Sequence, residues 1–187
     1  MSVTRMTIDG FGQIELNNCA FRRDGRIEAQ CAPDTTDFAS AKVENGMLLA
    51  IDNVNRKVCL PTDSSLPIGL VYSAEHIYDE RTPGLKNFAL NGINDFYPRL
   101  GLLAVGDKYT TNCISWDSAV DTAWTDESAF VSALESYKTT PLYAGKAPDG
   151  SHQISATAPT VGPVERVIAY TTMPDGTPAV KVQVYSC

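Results

Sequence analysis

Apolar and polar positions along the chain change register in a way that marks off one element after another. In "VENGMLLAIDNVNRKVCLPTDSSLPIGLVYS", residues 43–73, Met47, Leu48, Leu49 and Ile51 follow Asn45-Gly46, which predicts a turn and then a strand. Asp52 to Asn55 predicts a charged bend, Lys57 to Leu60 a short strand and Leu66 to Tyr72 another. Proline cannot donate to a ladder, so Pro67 is expected at a sheet edge or at the lead-in to its strand. Residues 73–99 carry Pro83-Gly84, Asn91-Gly92 and Pro98 and predict a long surface loop. "LGLLAVGDKYTTNCISWD" returns to strand, with Gly106-Asp107 as its bend.

One helix is predicted near 125–139. Thr125 is placed to cap it, and Asp126 and Glu127 suit the positive end of its dipole. Phe130, Ala133, Leu134 and Tyr137 fall at i, i+3, i+4 and i+7, one face of a 3.6-residue period. The chain closes on a hairpin around Pro174-Asp175-Gly176. Its second strand sets Val180, Val182 and Val184 on one face and Lys181, Gln183 and Tyr185 on the other.

The first 38 residues predict an extended arm. Ile14 and Leu16 alternate with polar neighbours, and Asp24-Gly25 sits between two short segments as a hairpin signal. "PDTTDFAS" reads as a polar linker. With so little apolar content the arm cannot build its own core, and it must lie on its own body or on a neighbouring chain. The expected organisation is therefore an arm over 1–38 and a β-rich body over 39–187. The arm's candidate partner contacts are Ile14, Leu16, Phe21, Arg22, Arg23 and Arg26.

Composition narrows the class. The apolar share of 43% and charged share of 20% are those of a folded globular protein. No apolar run approaches the roughly 18 residues of a membrane span, and no secretory signal is expected from the N-terminal stretch. Synthesis in a cytoplasm is the expectation, with the product staying there or leaving inside a larger particle. Acidic residues outnumber basic ones by 22 to 15, which argues against nucleic acid as the main partner. The compact basic cluster Arg22, Arg23 and Arg26 fits either a solvated hairpin tip or a contact for an acidic protein patch. The five cysteines, Cys19, Cys31, Cys59, Cys113 and Cys187, are widely spaced without C-x-x-C, so neither a zinc ribbon nor a disulfide framework is indicated. Cys59 and Cys113 are expected to be core or half-buried.

Candidate chemistry is sparse. His76 lies among Glu75, Asp79 and Glu80, a usable acid–base or metal set, but no second cluster supplies further ligands at a recognisable spacing. His152, in "PDGSHQIS", reads as a loop histidine. Asp107 and Asp117 flank a strand without a defined cleft, and Trp116 and Trp124 fit core packing better than a recognition patch. No nucleophile elbow, phosphate loop or dinucleotide fingerprint occurs. No catalytic residue, cofactor or metal is expected.

The phrases "ENGMLLAID", "VCLP", "LPIGLVYS" and "LGLLAVGDKYTTN", preceded by an extended arm, resemble the head decoration (cement) proteins of tailed bacteriophages. The matching positions are Gly46, Asp52, Pro67, Ile68, Gly69, Gly106 and Asp107, and the resemblance covers roughly residues 40–120. The chain as a whole reads as mainly β with one short helix, and the resemblance, outside which the helix and the C-terminal hairpin fall, implies a small β-barrel or β-sandwich of the β-tulip type. It also implies a homotrimer on the capsid exterior, bound to the major capsid protein, with no membrane or nucleic-acid contact of its own. The alternatives are another virion component, such as a tail-tube or head–tail connector protein, and a small β-barrel enzyme or ligand-binding protein.

Overall fold

The β-unit at 43–73 folds as its pattern of apolar residues and turns predicts. β4 (Leu48–Asp52) pairs antiparallel with β5 (Lys57–Cys59) across a turn organised by Asp52. The Asp52 carboxylate accepts from the backbone N–H of Val54 at 3.0 Å and of Asn55 at 2.9 Å. β6 (Ile68–Val71) then pairs with β4 on its other side. Gly69 is required there by close approach: a Cβ would meet Ile51 Cδ1 at 2.9 Å and Gly101 O at 3.2 Å. The computed structural model describes residues 3–8, 10–15, 29–62, 65–73, 89–90, 97–116 and 124–187.

β6 is not an edge strand. It lies between β4 and β8 (Arg99–Leu102), in a sheet completed by β1 (Ala29–Gln30) beyond β8 and β2 (Ala32–Pro33) beyond β5. Pro67 sits just before β6, where its missing N–H costs no ladder bond, and its carbonyl accepts from Ile51 N at 2.8 Å. The edge expectation for this strand is therefore corrected, and the lead-in position is what the proline occupies.

A second sheet runs in the order β10 (Ile114–Ser115), β12 (His152–Ser155), β11 (Tyr143–Lys146), β13 (Val164–Thr172), β14 (Pro178–Ser186) and β9 (Lys108–Thr111). A two-stranded ribbon joins β3 (Val43–Glu44) to β7 (Ala89–Leu90). Among the described residues the molecule is thus mainly β with one short helix, built of two mixed sheets in a sandwich-like body. Neither sheet closes into a barrel. Each curls so far, however, that its two margins are consecutive pieces of chain. β1 and β2 are separated only by Cys31, and β9 and β10 only by Asn112 and Cys113.

Alternation explains which faces are buried. Val180, Val182 and Val184 of β14 point into the core while Lys181, Gln183 and Tyr185 face outward, as their period of two dictates. The hairpin turn is closed by Met173 N to Thr177 O at 2.8 Å and Gly176 N to Met173 O at 2.9 Å. The helix spans Glu127–Glu135 and is capped by Asp126, whose carboxylate accepts from Ala129 N at 2.8 Å, not by Thr125. It buries Phe130 and Leu134, and Trp116 and Trp124 pack on Phe130 with ring centroids 6.1 and 5.2 Å away. Both tryptophans are core residues.

The arm is stitched to its own body wherever it is described. Residues 4–6 run antiparallel to 114–116, with Met6 N to Ile114 O at 2.9 Å and Trp116 N to Thr4 O at 3.0 Å. Residues 13–15 pair with 110–112, and Glu15 N donates to Thr110 O at 2.8 Å. Further along, "PDTTDFAS" is a docked turn and not a free linker. Asp34 N bonds Val58 O at 2.8 Å, the Asp37 carboxylate accepts from Leu60 N at 2.8 Å, and Phe38 packs on the first sheet's core.

Candidate functional site

The six residues expected to form a contact arm do not share one placement. Ile14 is fully buried in the core of the second sheet, bridged to Thr111, so its side chain faces this chain's own interior. Leu16, Phe21, Arg22, Arg23 and Arg26 lie outside the described residues, as do His76 and Asp117.

A polar latch holds the arm's first part. Arg5 reaches Glu44 at the end of β3 with two parallel bonds, Nη1 to Oε1 at 3.2 Å and Nη2 to Oε2 at 3.1 Å. Such a fork-to-carboxylate pair fixes orientation as well as distance. The same carboxylate accepts from Gly12 N, and Arg5 Nη2 also lies 3.2 Å from Cys113 Sγ. Glu44 therefore ties two points of the arm to the junction between the two sheets. A second tie runs from Thr7, whose N–H and hydroxyl both donate to Glu127 at 2.9 and 2.8 Å.

The latch shields a thiol. Burial pushes Cys113 up to about 12, even with the Arg5 guanidinium beside it pulling the other way. A thiol that stays protonated and enclosed is a poor nucleophile. Iodoacetamide should therefore modify the exposed Cys187 in the native protein and leave Cys113 unlabelled until denaturant is added, as read by peptide mass spectrometry. Native labelling of Cys113 at the rate of Cys187 would mean that the arm opens freely.

A further polar constellation is internal, and sequence spacing gave no sign of it. Tyr109, His152 and Glu165 are each 0% exposed. The Tyr109 hydroxyl donates to Glu165 Oε1 and lies 2.7 Å from His152 Nε2, while Glu165 Oε2 stands 3.3 Å from the same nitrogen. His152 is thus a buried strand residue of β12 and not a loop histidine. Pairing sets its place: His152 N donates to Cys113 O at 2.9 Å, and β12 lies beside the margin strand β10. All three groups are enclosed, and their contacts join β9, β12 and β13. Asp107 is likewise buried and serves a turn, its carboxylate accepting from Ala104 N at 2.8 Å.

On the surface, Asp34 pairs with Lys57 at 2.9 Å. The lysine hydrogen bond, then the backbone N–H groups of Thr36 and Asp37, hold its carboxyl down to about 2. Between the sheets a groove of about 510 Å³ is lined by Ile68, Leu102, Leu103, Pro163 and Cys187. Among the described residues no three His, Cys, Asp or Glu side chains converge to hold a metal ion, and no helix is long and apolar enough to cross a membrane. No family model, curated protein or solved structure matches the chain.

Proposed function

We propose that the protein is a structural virion component that binds the exterior of an assembled bacteriophage capsid and stabilises it by cross-linking major capsid subunits. The observation that carries this reading is the way an extended segment is held. Residues 4–6 add alongside the margin strand β10 and residues 13–15 alongside the margin strand β9 through main-chain bonds, with Met6 and Ile14 as plugs. Strand addition is also how an extended segment joins a partner's sheet, where backbone bonds supply affinity and alternate side chains supply register. The positions that carry the resemblance support the same reading. Gly46, Asp52, Pro67, Gly69, Gly106 and Asp107 serve turns and close backbone approaches, so they specify a shape. A shape presented in many copies suits a cement protein, because weak contacts linked together gain about 10² to 10⁴ in avidity. A closed ring of three copies is the assembly this reading favours.

The test adds purified protein to particles that lack it and measures genome release on heating. Release should move to higher temperature as sites fill, and free major capsid subunits should bind far more weakly than the assembled lattice. Unchanged release at saturation, or equal affinity for free subunits, would turn the reading toward a tail or connector component.

A further inference from the structure

On the outer face of the second sheet, three side chains from three neighbouring strands stand in a row. Arg166 of β13 points outward, because Glu165 and Val167 on either side of it are buried. Its Cα partners across the ladder are Tyr143 on β11 and Gln183 on β14. The guanidinium carbon lies 5.4 Å from the Tyr143 ring centroid and 5.2 Å from that of Tyr185. Tyr185 is 49% exposed, one of the large apolar side chains most open to solvent.

The chemistry of this row is specific. A guanidinium is drawn to the negative face of an aromatic ring. With two rings near its guanidinium carbon, its N–H donors make no hydrogen bond to any described residue. Among the described residues no carboxylate pairs with Arg166. Two rings also restrict its rotamers, so little further order is lost when the donors are used. Arginine flanked by tyrosine is the composition found at the energetic centre of protein interfaces. A forked edge of donors matches a carboxylate bidentately. A polyphosphate would match it as well, but the formal charge of −7 opposes a nucleic acid.

We propose that the Tyr143–Arg166–Tyr185 ladder is a docking point for an aspartate or glutamate side chain on the surface of the protein that this chain coats. The identity of that protein rests on the capsid reading above; the preference for a carboxylate rests on the ladder alone. The free, pre-positioned donor fork on Arg166 is complementary in charge and shape to one acidic side chain and to no cationic one.

Full-length wild type, Arg166→Gln, Arg166→Lys and Tyr185→Leu are compared for binding to particles lacking the protein, by co-sedimentation over a concentration series. The ladder residues are exposed or half-buried, so unchanged thermal midpoints serve to show that each variant folds. Arg166→Gln should weaken binding at least tenfold, and Arg166→Lys about fivefold, since lysine keeps the charge but loses the fork. Added salt should weaken the wild type more than the glutamine variant. Binding of Arg166→Gln within about twofold of wild type overturns the proposal, because a central charged contact is worth more than that. Loss of self-association with particle binding intact overturns it too, by giving the ladder to a second copy of this chain. If the wild type binds no particles, the capsid reading fails separately. The ladder is then judged by NMR of the Arg166 Nε–H signal during titration with a glutamate-rich peptide. A saturable shift that the glutamine counterpart does not give supports the carboxylate assignment, and its absence overturns it.

Discussion

Replacing Glu165 with alanine should lower the unfolding free energy by about 3–5 kcal/mol, because it breaks a fully buried hydrogen-bonded network and leaves a cavity in the core. For a chain of this size that corresponds to a fall of about 10 °C in thermal midpoint. The change takes away the acceptor of the Tyr109 hydroxyl and leaves the His152 ring with one polar neighbour in a site where all three groups are 0% exposed. Water cannot compensate without entering the core, and the lost side chain leaves a cavity besides. Tyr109→Phe should cost less, about 1–3 kcal/mol, because it deprives Glu165 Oε1 of its donor but keeps the volume of the ring. The double variant should show non-additivity, since the two residues act as one unit. Urea unfolding of the four proteins is the measurement. A Glu165→Ala protein within about 1 kcal/mol of wild type would show that the network is hydrated or expendable, against the burial seen here.

That network also marks the limit of what the chain disclosed before its structure was known. Its members lie 43 and 13 positions apart on three strands, and sequence patterns act locally. The β-unit at 43–73, the helix and the C-terminal hairpin were legible because each is specified by a turn signal next to a clear period. Asp52, Pro174-Asp175-Gly176 and the Phe130–Leu134 stripe are such signals. His152 misled because its strand is four residues long and follows Pro148-Asp149-Gly150, so the turn chemistry dominated the window. "PDTTDFAS" misled for a related reason. Its carboxylates bind backbone N–H groups of its own turn and of Leu60, so the same residue types serve a free loop and a docked one. The curling of each sheet until β1 and β2, or β9 and β10, form opposite margins is a long-range property that no local period encodes. Ile14 shows the same point in the arm: alternation gave it a buried face, and only tertiary pairing decided whose core it enters.

The other large effect is expected at Gly46, where the arm, the β-unit and the second sheet meet. Gly46 has φ +87°, a conformation that costs a residue with a Cβ roughly 1–2 kcal/mol. Space is the second constraint. A Cβ on Gly46 would run into Thr111 Oγ1 and approach Cys113 Cβ at 3.0 Å and Gln13 O at 3.2 Å. Thr111 cannot easily yield, because its hydroxyl donates to Gln13 O and accepts from Cys113 N at 3.0 Å. Gly46→Ala should therefore cost about 3 kcal/mol or more, backbone strain plus overpacking of a filled site. Gly176 supplies the control. It has the same φ of +87° but nothing within 4 Å of its would-be Cβ, so Gly176→Ala carries the backbone cost alone, about 1 kcal/mol. The displaced Thr111 should also loosen the arm. Hydrogen exchange at the Met6 and Glu15 amides should quicken in Gly46→Ala before global unfolding, while Gly176→Ala leaves it unchanged. Equal destabilisation by the two alanines would sink this account, because the Thr111–Cys113–Gln13 contact would then contribute nothing beyond the turn.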